Sequence, residues 1–440
     1  MPRKLFGTDG VRGVAGEFVT AELALALARA ATERLGVDAP RALIIRDTRE
    51  SGEMLEAAVA AGVAAAGGEA LLGGVVPTPA APLLIERYGF DLGVVLSASH
   101  NPYRDNGIKF FGGDGFKLSD ETEHEIEDAL EAGPPAHGHV GRVRRLEGAL
   151  EDYLRALHER FGELDLSGRR VALDCANGAT YRAAPEIFRR LGADVDVVAD
   201  DPDGRNINAG CGSTHVEVLA AHVRDGRHDA GFAFDGDGDR VLAVDPHGTV
   251  VDGDELIALA ALHLRARGRL PGGGVAVTVM TNYGFHTAMR DAGIEVATTG
   301  VGDRYVLEEL RAGEYSLGGE QSGHLVLPSF GTTGDGIVTG LRLMSRMAQT
   351  RRSLAELAEP MHTLPQVLIN VEVTDKATVA EAQSVRDAVA QVEEELGDTG
   401  RILLRPSGTE QLVRVMVEAA DEDTARQLAI RIAESVSAEG

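Results

Sequence analysis

The chain has 440 residues, 44% of them hydrophobic and 25% charged, which describes a soluble globular protein of roughly three domains and excludes a disordered one. Its net charge of −26, from 69 acidic and 43 basic side chains, repels phosphate backbones and anionic membranes, so neither nucleic acid nor a membrane is an expected partner; a small anion still fits where basic residues converge. Two cysteines, Cys175 and Cys211, make no disulfide framework, and no run approaches the ~20 apolar residues of a bilayer crossing, so the expected location is the cytoplasm.

In chain order, the segment 20–36, TAELALALARAATERLG, has helical period and closes on Gly36. The β-rich runs ALIIRD (42–47) and LGVVLSAS (92–99) predict strands, and EAGPPAHGHVG (131–141) a connection before a helix holding Tyr153 and Leu154. RVALDC (170–175), AGFAF (230–234) and VAVTVM (275–280) are further strands, with a breaker, GRLPGGG (268–274), before the last. Strands alternating with helical patterns imply parallel sheets covered by helices. From about 366, VLINVEV and LVRVMVEA flank a helical stretch, 377–396, which predicts a smaller α+β domain. Boundaries near 150, 250 and 365 divide the chain into 1–150, 151–251, 252–365 and 366–440.

Four loops carry candidate chemistry. LSASHNPYRDNGIK (96–109) follows an apolar run. Neither Ser97 nor Ser99 sits in a G-x-S-x-G elbow, and Ser99 and His100 would point apart on extended backbone, so a Ser-His-Asp hydrolase fits poorly. Taken alone, the stretch fits a structural turn, set by Asn101-Pro102 and Asn106-Gly107, as well as a reactive loop. Lys109 is one of four lysines against 39 arginines, and lysine, unlike arginine, can give up its proton.

FAFDGDGDR (232–240) runs a strand into Asp235, Asp237 and Asp239. Three carboxylates this close repel unless a cation holds them, and the glycines let the backbone curl so that they converge. An EF-hand loop would need Gly and Glu where this chain has Arg240 and Pro246, so that rival fails; three carboxylates with room for another oxygen ligand suit Mg²⁺, and the bland alternative is a solvated acidic turn.

GGEQSGH (318–324) offers Glu320, Ser322 and His324 on a glycine-rich loop suited to sugar hydroxyls, although many turns look alike. LLRPSGTEQLVRV (403–415) brackets a Ser-Gly turn with Arg405, Ser407, Gly408, Thr409 and Arg414, either an anion cradle or an ordinary hairpin with surface arginines.

Taken together, SASHNP, DGDGDR, GEQSGH and RPSGTE resemble the active-site loops of the α-D-phosphohexomutases over essentially the whole chain. Within that superfamily FGTDGVRG (6–13), CGSTH (211–215), VGDRYV (301–306) and the Gln of GEQSGH most resemble the branch acting on glucosamine phosphates; the branches acting on glucose or mannose phosphates are the alternative, and a catalytically silent sugar-phosphate-binding protein is a third reading.

The resemblance implies an α/β fold of four domains around a central cleft, the first three related mixed-sheet α/β domains and the fourth a smaller α+β domain that closes over the cleft. It implies interconversion of glucosamine 6-phosphate and glucosamine 1-phosphate through a phosphoserine and a 1,6-bisphosphate, on the route to UDP-N-acetylglucosamine. Ser99 would be the phosphoserine, with Asp235, Asp237, Asp239 and a Ser99 phosphate oxygen holding Mg²⁺. Lys109 would shuttle a proton, Glu320 and Ser322 would face the sugar, and Arg405, Ser407, Gly408, Thr409 and Arg414 would hold the unreacting phosphate. Arg12, His100, Asn101, Arg240 and Arg304 would support them. Glucosamine 1,6-bisphosphate or glucose 1,6-bisphosphate is the implied activator, sugar phosphates are the implied partners, and a homodimer is compatible with the reading. Gln411 stands where these enzymes commonly carry Pro, which frees φ and adds an N–H to the phosphate turn.

Overall fold

The computed structural model describes residues 5–132, 140–407 and 410–440. The chain forms two compact units, the larger made of 1–278 and 297–359, the smaller of 279–296 and 360–440. No helix among the described residues is long and apolar enough to cross a membrane.

Each expected strand forms. They are Arg41–Arg46, Leu92–Leu96, Arg170–Asp174, Ala230–Phe234 and Gly274–Thr278, the last preceded by a one-turn break at Pro271–Gly273. The first helix spans Ala21–Arg34 because the Thr20 side chain accepts from Leu23 N at its start and Gly36 takes φ +63° just past its end. Tyr153 and Leu154 lie in the helix Ala149–Phe161, while most of the connection expected at 131–141 falls outside the described residues.

In the larger unit, a six-stranded sheet has the order Val11–Val14, Asp105–Gly112, Leu92–Leu96, Arg41–Arg46, Glu69–Val75, Arg142–Arg145, and a five-stranded sheet the order Val250–Val251, Val241–Val244, Ala230–Phe234, Arg170–Asp174, Asp194–Val198. The central strands pair in parallel, as expected. The sheets are mixed because Leu92–Leu96 and Ala230–Phe234 each turn straight back into an antiparallel neighbour, a short return that leaves no room for a crossover helix. Buried Leu27, Ile44, Val59, Val94 and Ile108 fill the first core, and Ala172, Leu219, Val223 and Val244 the second.

The smaller unit holds a three-stranded antiparallel sheet, Gln366–Glu372, Leu412–Glu418, Arg401–Pro406. Val367, Val371, Val413, Val415 and Val417 face its helices. The single helix expected over 377–396 is two, Lys376–Ala380 and Gln383–Leu396. Asp375 caps the first with its side chain, and extended backbone at Ala382 starts the second.

Candidate active site

All four candidate loops join antiparallel neighbours: 92–96 to 105–112, 230–234 to 241–244, 318–319 to 325–326, and 401–406 to 412–418. An antiparallel return leaves its connection projecting beyond the sheet edge, where side chains can converge on a ligand.

In the larger unit the first two loops meet. Ser99 is buried and takes φ +52°, a left-handed conformation unusual for serine and kept only where surroundings impose it. Arg49 imposes it. Fully buried and paired with Asp47 at 2.8 Å, its guanidinium donates to the carbonyls of Ser99, Asn101 and Asp105 at 2.9 Å each and to that of Pro102. Asp47 also accepts the Ser97 hydroxyl at 2.6 Å, and Ser97 Oγ accepts Ser99 N at 2.9 Å. Ser97 is thus a strut for Ser99, whose own hydroxyl donates to Asp235 Oδ2.

The left-handed turn overturns the expectation that Ser99 and His100 diverge: His100 Nδ1 lies 3.3 Å from Ser99 Oγ. Burial, then Arg240 and Arg12, push this imidazole down to about 4, so it is neutral near pH 7. Asn101 turns its amide back to Asp105 Oδ2 at 2.9 Å and braces the loop.

Asp235, Asp237 and Asp239 are all buried, with ligand atoms within 4.8 Å of one another. Gly236 lets Ser99 approach, since a Cβ there would lie 2.5 Å from the Ser99 carbonyl, and Gly238 turns with φ +76°. Burial, with repulsion from Asp239 and Asp237, pushes the Asp235 carboxyl well above the usual range. Asp237 Oδ1 and Asp239 Oδ1 are buried without a hydrogen-bond partner. Repelling carboxylates with two orphaned oxygens are a donor set that Mg²⁺ satisfies, so the residues fit the ion.

Lys109 Nζ stands 2.8 Å from Asp237, 3.1 Å from Asp9 and 3.9 Å from Asp239. Burial favours losing the proton, yet the three carboxylates outweigh it and raise the ammonium above its ordinary value. Arg12 pairs with Asp9, and Arg240 lies 3.8 Å from Asp239. Asp239 is held well below the carboxylate range by Lys109 and His324 despite its burial.

In the sugar loop Glu320 accepts Gly302 N at 3.1 Å, and Ser322 Oγ is buried without a partner. Arg304 reaches away from this loop to Glu123 at 2.9 Å, the Leu118 carbonyl at 3.0 Å and Asp120, tying the helix Asp303–Ala312 to the helix Asp120–Ala132.

In the smaller unit Arg405 and Arg414 are direct cross-strand partners on the face away from the valine core. Like charges so placed destabilise a sheet unless an anion joins them; the Glu410 carboxylate takes Arg414 at 3.2 Å. Ser407 Oγ accepts Glu410 N at 3.3 Å, and Lys376 Nζ closes the turn on the carbonyls of Ser407 at 2.6 Å and Glu410 at 3.0 Å. Gly408 and Thr409 lie outside the described residues.

Sequence reasoning missed Asp47, Arg49, Asp9, Thr78, whose hydroxyl donates to Asp237 at 2.7 Å, and Asn208, whose amide donates to the carbonyls of Ser99 at 2.9 Å and Asn101 at 3.1 Å. A signal existed for the first pair: RDTRE also runs a strand into a charged loop.

Models of the phosphoglucomutase/phosphomannomutase family match at alpha/beta/alpha domain I (3–136), alpha/beta/alpha domain II (151–248), alpha/beta/alpha domain III (252–364) and the C-terminal domain (368–435). The phosphoglucosamine mutase of Mycolicibacterium vanbaalenii is 63% identical, with 99% of each chain covered. A phosphoglucomutase/phosphomannomutase family protein from Burkholderia thailandensis superposes with a TM-score of 0.83 at 23% identity, over 98% of this chain and 97% of that one. The N-acetylphosphoglucosamine mutase of Aspergillus fumigatus, solved with GlcNAc-6P and magnesium, does so at 0.68 and 20% identity, over 100% and 97%. With its four α/β and α+β domains and a near-identical length to a relative so similar, the chain belongs to the phosphoglucosamine mutase family, within the phosphoglucomutase/phosphomannomutase superfamily.

Proposed function

We propose that the protein is a phosphohexomutase that interconverts glucosamine 6-phosphate and glucosamine 1-phosphate, with Ser99 as the phosphoryl carrier. The observation that carries this reading is the buried Ser99 hydroxyl held against Asp235 in a cluster of three carboxylates with two orphaned oxygens; the choice of amino sugar rests on the 63% identical relative.

Phospho-Ser99 transfers its phosphoryl group to O1 of glucosamine 6-phosphate. The Oγ–P bond breaks as the O1–P bond forms, and the hydroxyl proton of O1 ends on Ser99 Oγ. The resulting 1,6-bisphosphate turns end for end and returns its 6-phosphoryl group to Ser99, leaving O6 with the proton. His100, neutral and 3.3 Å from Ser99 Oγ, is placed to relay that proton, while Lys109, Arg12 and Arg240 supply positive field. Asp235, Asp237 and Asp239, with an oxygen of phospho-Ser99, would hold Mg²⁺, which would supply positive charge at the phosphoryl group. Glu320 and the free Ser322 hydroxyl take sugar hydroxyls, and Arg405 and Arg414, always charged, accept either phosphate. Burial of Ser99 limits loss of the phosphoryl group to water.

A sugar 1,6-bisphosphate as activator, sugar phosphates as small-molecule partners, compatibility with a homodimer and a cytoplasmic location complete the proposal. A coupled assay comparing glucosamine, glucose and mannose 1-phosphates, on protein whose Ser99 phosphorylation has been verified by mass spectrometry, tests it. Glucosamine 1-phosphate is expected to turn over fastest. Preference for glucose or mannose 1-phosphate would move the protein to the other branch, and no turnover of any of them by phosphorylated protein would overturn the reading.

A further inference from the structure

A second basic cluster lies outside these loops. A cleft of about 910 Å³ opens between the ends of the helices Ala149–Phe161, Gly253–Ala266 and Gly336–Thr350, all in the larger unit. This is within the usual size of a small-molecule site, ~300–1,000 Å³. Five arginines line it, Arg160, Arg267, Arg269, Arg342 and Arg346, against three rim carboxylates, Glu159, Glu163 and Asp165.

None of the five makes an ion pair among the described residues. Arg160 donates to the Phe330 carbonyl at 2.6 Å, Arg267 to Gln349 at 3.3 Å, and Arg160 and Arg342 lie over the Phe330 ring, 5.4 and 5.0 Å from its centroid. Elsewhere on this acidic chain several helical arginines pair with a carboxylate one turn away, as in Arg29–Glu33, Arg190–Glu186 and Arg426–Glu422. Here the one-turn neighbours are themselves basic, Arg342 with Arg346 and His263 with Arg267, an arrangement that costs helix stability. The helix dipole accounts for basic groups in a last turn, but Arg342 lies mid-helix. His263 registers the excess: burial, then Arg346, Arg267 and Arg342, push its imidazole down to about 4, and its Nδ1 is buried without a partner.

Apolar side chains complete the lining, Leu256, Leu259, Leu317, Leu325, Leu327 and Phe330. We infer that this cleft is a binding site for an organic phosphate, its anionic group held by Arg267, Arg342 and Arg346 and a planar or apolar body lying against the leucine wall and Phe330. Bidentate guanidinium groups suit the phosphate, and the aromatic and leucine surface gives a nucleoside-sized body its burial. The site is also placed to bear on the reaction centre. Leu317 and Leu325 flank the sugar loop, and Gly253 N, at the far end of one lining helix, donates to Gln321 O at 3.0 Å; Gly336 N, at the far end of another, donates to Gly238 O in the metal loop at 3.0 Å.

Titration calorimetry of the full chain in EDTA, with ADP and separately with pyrophosphate, tests the inference. ADP should bind, and about tenfold more tightly than pyrophosphate, because only ADP reaches the apolar wall. R342Q/R346Q should weaken ADP binding about a hundredfold by removing two charged donors, R342K/R346K should retain part of it, and Arg414→Ala in the phosphate loop should leave it intact. Arg267→Gln, a single change at a helix end, gives the same direction should the double variant fold poorly. No heat with ADP on the wild-type chain, equal affinity in R342Q/R346Q or Arg267→Gln, or loss of binding only in Arg414→Ala would overturn the inference. These outcomes are independent of mutase turnover.

Discussion

Arg49→Met tests the support of the serine loop. The guanidinium is fully buried, so its removal strips Asp47 of its only buried counter-charge and takes a donor from four carbonyls. Asn208 still serves the carbonyls of Ser99 and Asn101, and Asp105 N still serves that of Pro102 at 3.1 Å. What remains is one unpaired buried carboxylate, about 3–5 kcal/mol, and the Asp105 carbonyl, about 1–3 kcal/mol. The expected loss of about 4–8 kcal/mol approaches the whole stability of a typical domain and, at ~2.1 cal/mol/K per residue over the larger unit, should lower the melting temperature by about 6–11 °C. Arg49→Lys keeps the charge but not the fork, and should recover most of the stability while leaving Ser99 loosely placed. Misplacement of order 1 Å costs about a hundredfold in turnover, so Arg49→Lys should melt near the wild type and lose kcat at nearly unchanged KM. Thermal melts and the coupled mutase assay read both quantities. An Arg49→Met protein melting within about 2 °C of wild type, or an Arg49→Lys enzyme with full kcat, would refute the clamp.

Asp237→Asn removes one of the three carboxylates of the cluster, and the Mg²⁺ concentration for half-maximal activity should rise at least about tenfold; an unchanged requirement after EDTA stripping would remove Asp237 from the metal set. Arg414→Ala should raise KM for sugar phosphate by about tenfold or more with little change in the melting temperature, since losing the exposed Glu410 pair is offset by relief of repulsion from Arg405; an unfolded protein would make Arg414 structural. Burial holds the Asp335 carboxyl up at about 6, above the usual 3.8, although Val338 N and the Tyr153 hydroxyl bond to it. An acid raised on folding adds stability at low pH that fades as pH climbs from about 4 to 6, by at most about 3 kcal/mol at 1.36 kcal/mol per pH unit. Asp335→Asn should flatten that part of the stability profile, and an unaltered slope by denaturant titration would contradict it.

The strand runs were legible because each is a short apolar block bounded by polar turns, and burial on both faces demands that composition. The aspartate loop was legible for an electrostatic reason: no uncompensated cluster of three carboxylates folds inward cheaply. The Asp47–Arg49 clamp was not, because its partners are backbone carbonyls some 50 residues away, and carbonyls have no sequence signature. His100 was misjudged from the backbone, since only the left-handed turn at Ser99 brings the two side chains together. Lys109 was picked out by its rarity, but its protonation is set by Asp9, Asp237 and Asp239, residues distant in sequence. The break at Glu381–Ala382 was hidden by helix-forming residues on both sides.

Backbone hydrogen bonds stitch the loops of the larger unit to one another: Thr78 N to the Asp237 carbonyl at 2.9 Å, Gly336 N to the Gly238 carbonyl at 3.0 Å, and Val241 N to the Gly323 carbonyl at 3.1 Å. Main-chain seams of this kind carry no side-chain identity, so they loosen only where a substitution removes the N–H, as proline would at Thr78 or Val241, or crowds the backbone, as any side chain would at Gly323, and transplantation of one loop would have to reproduce the curvature of its neighbours. The metal and sugar loops, with the segments at Thr78 and Gly336, therefore form a single inheritable cassette. A chimera that exchanges 5–278 together with 297–359 from a relative preserves every seam, whereas one cut between the metal and sugar loops severs Val241 from Gly323 and should assemble poorly even between close homologues.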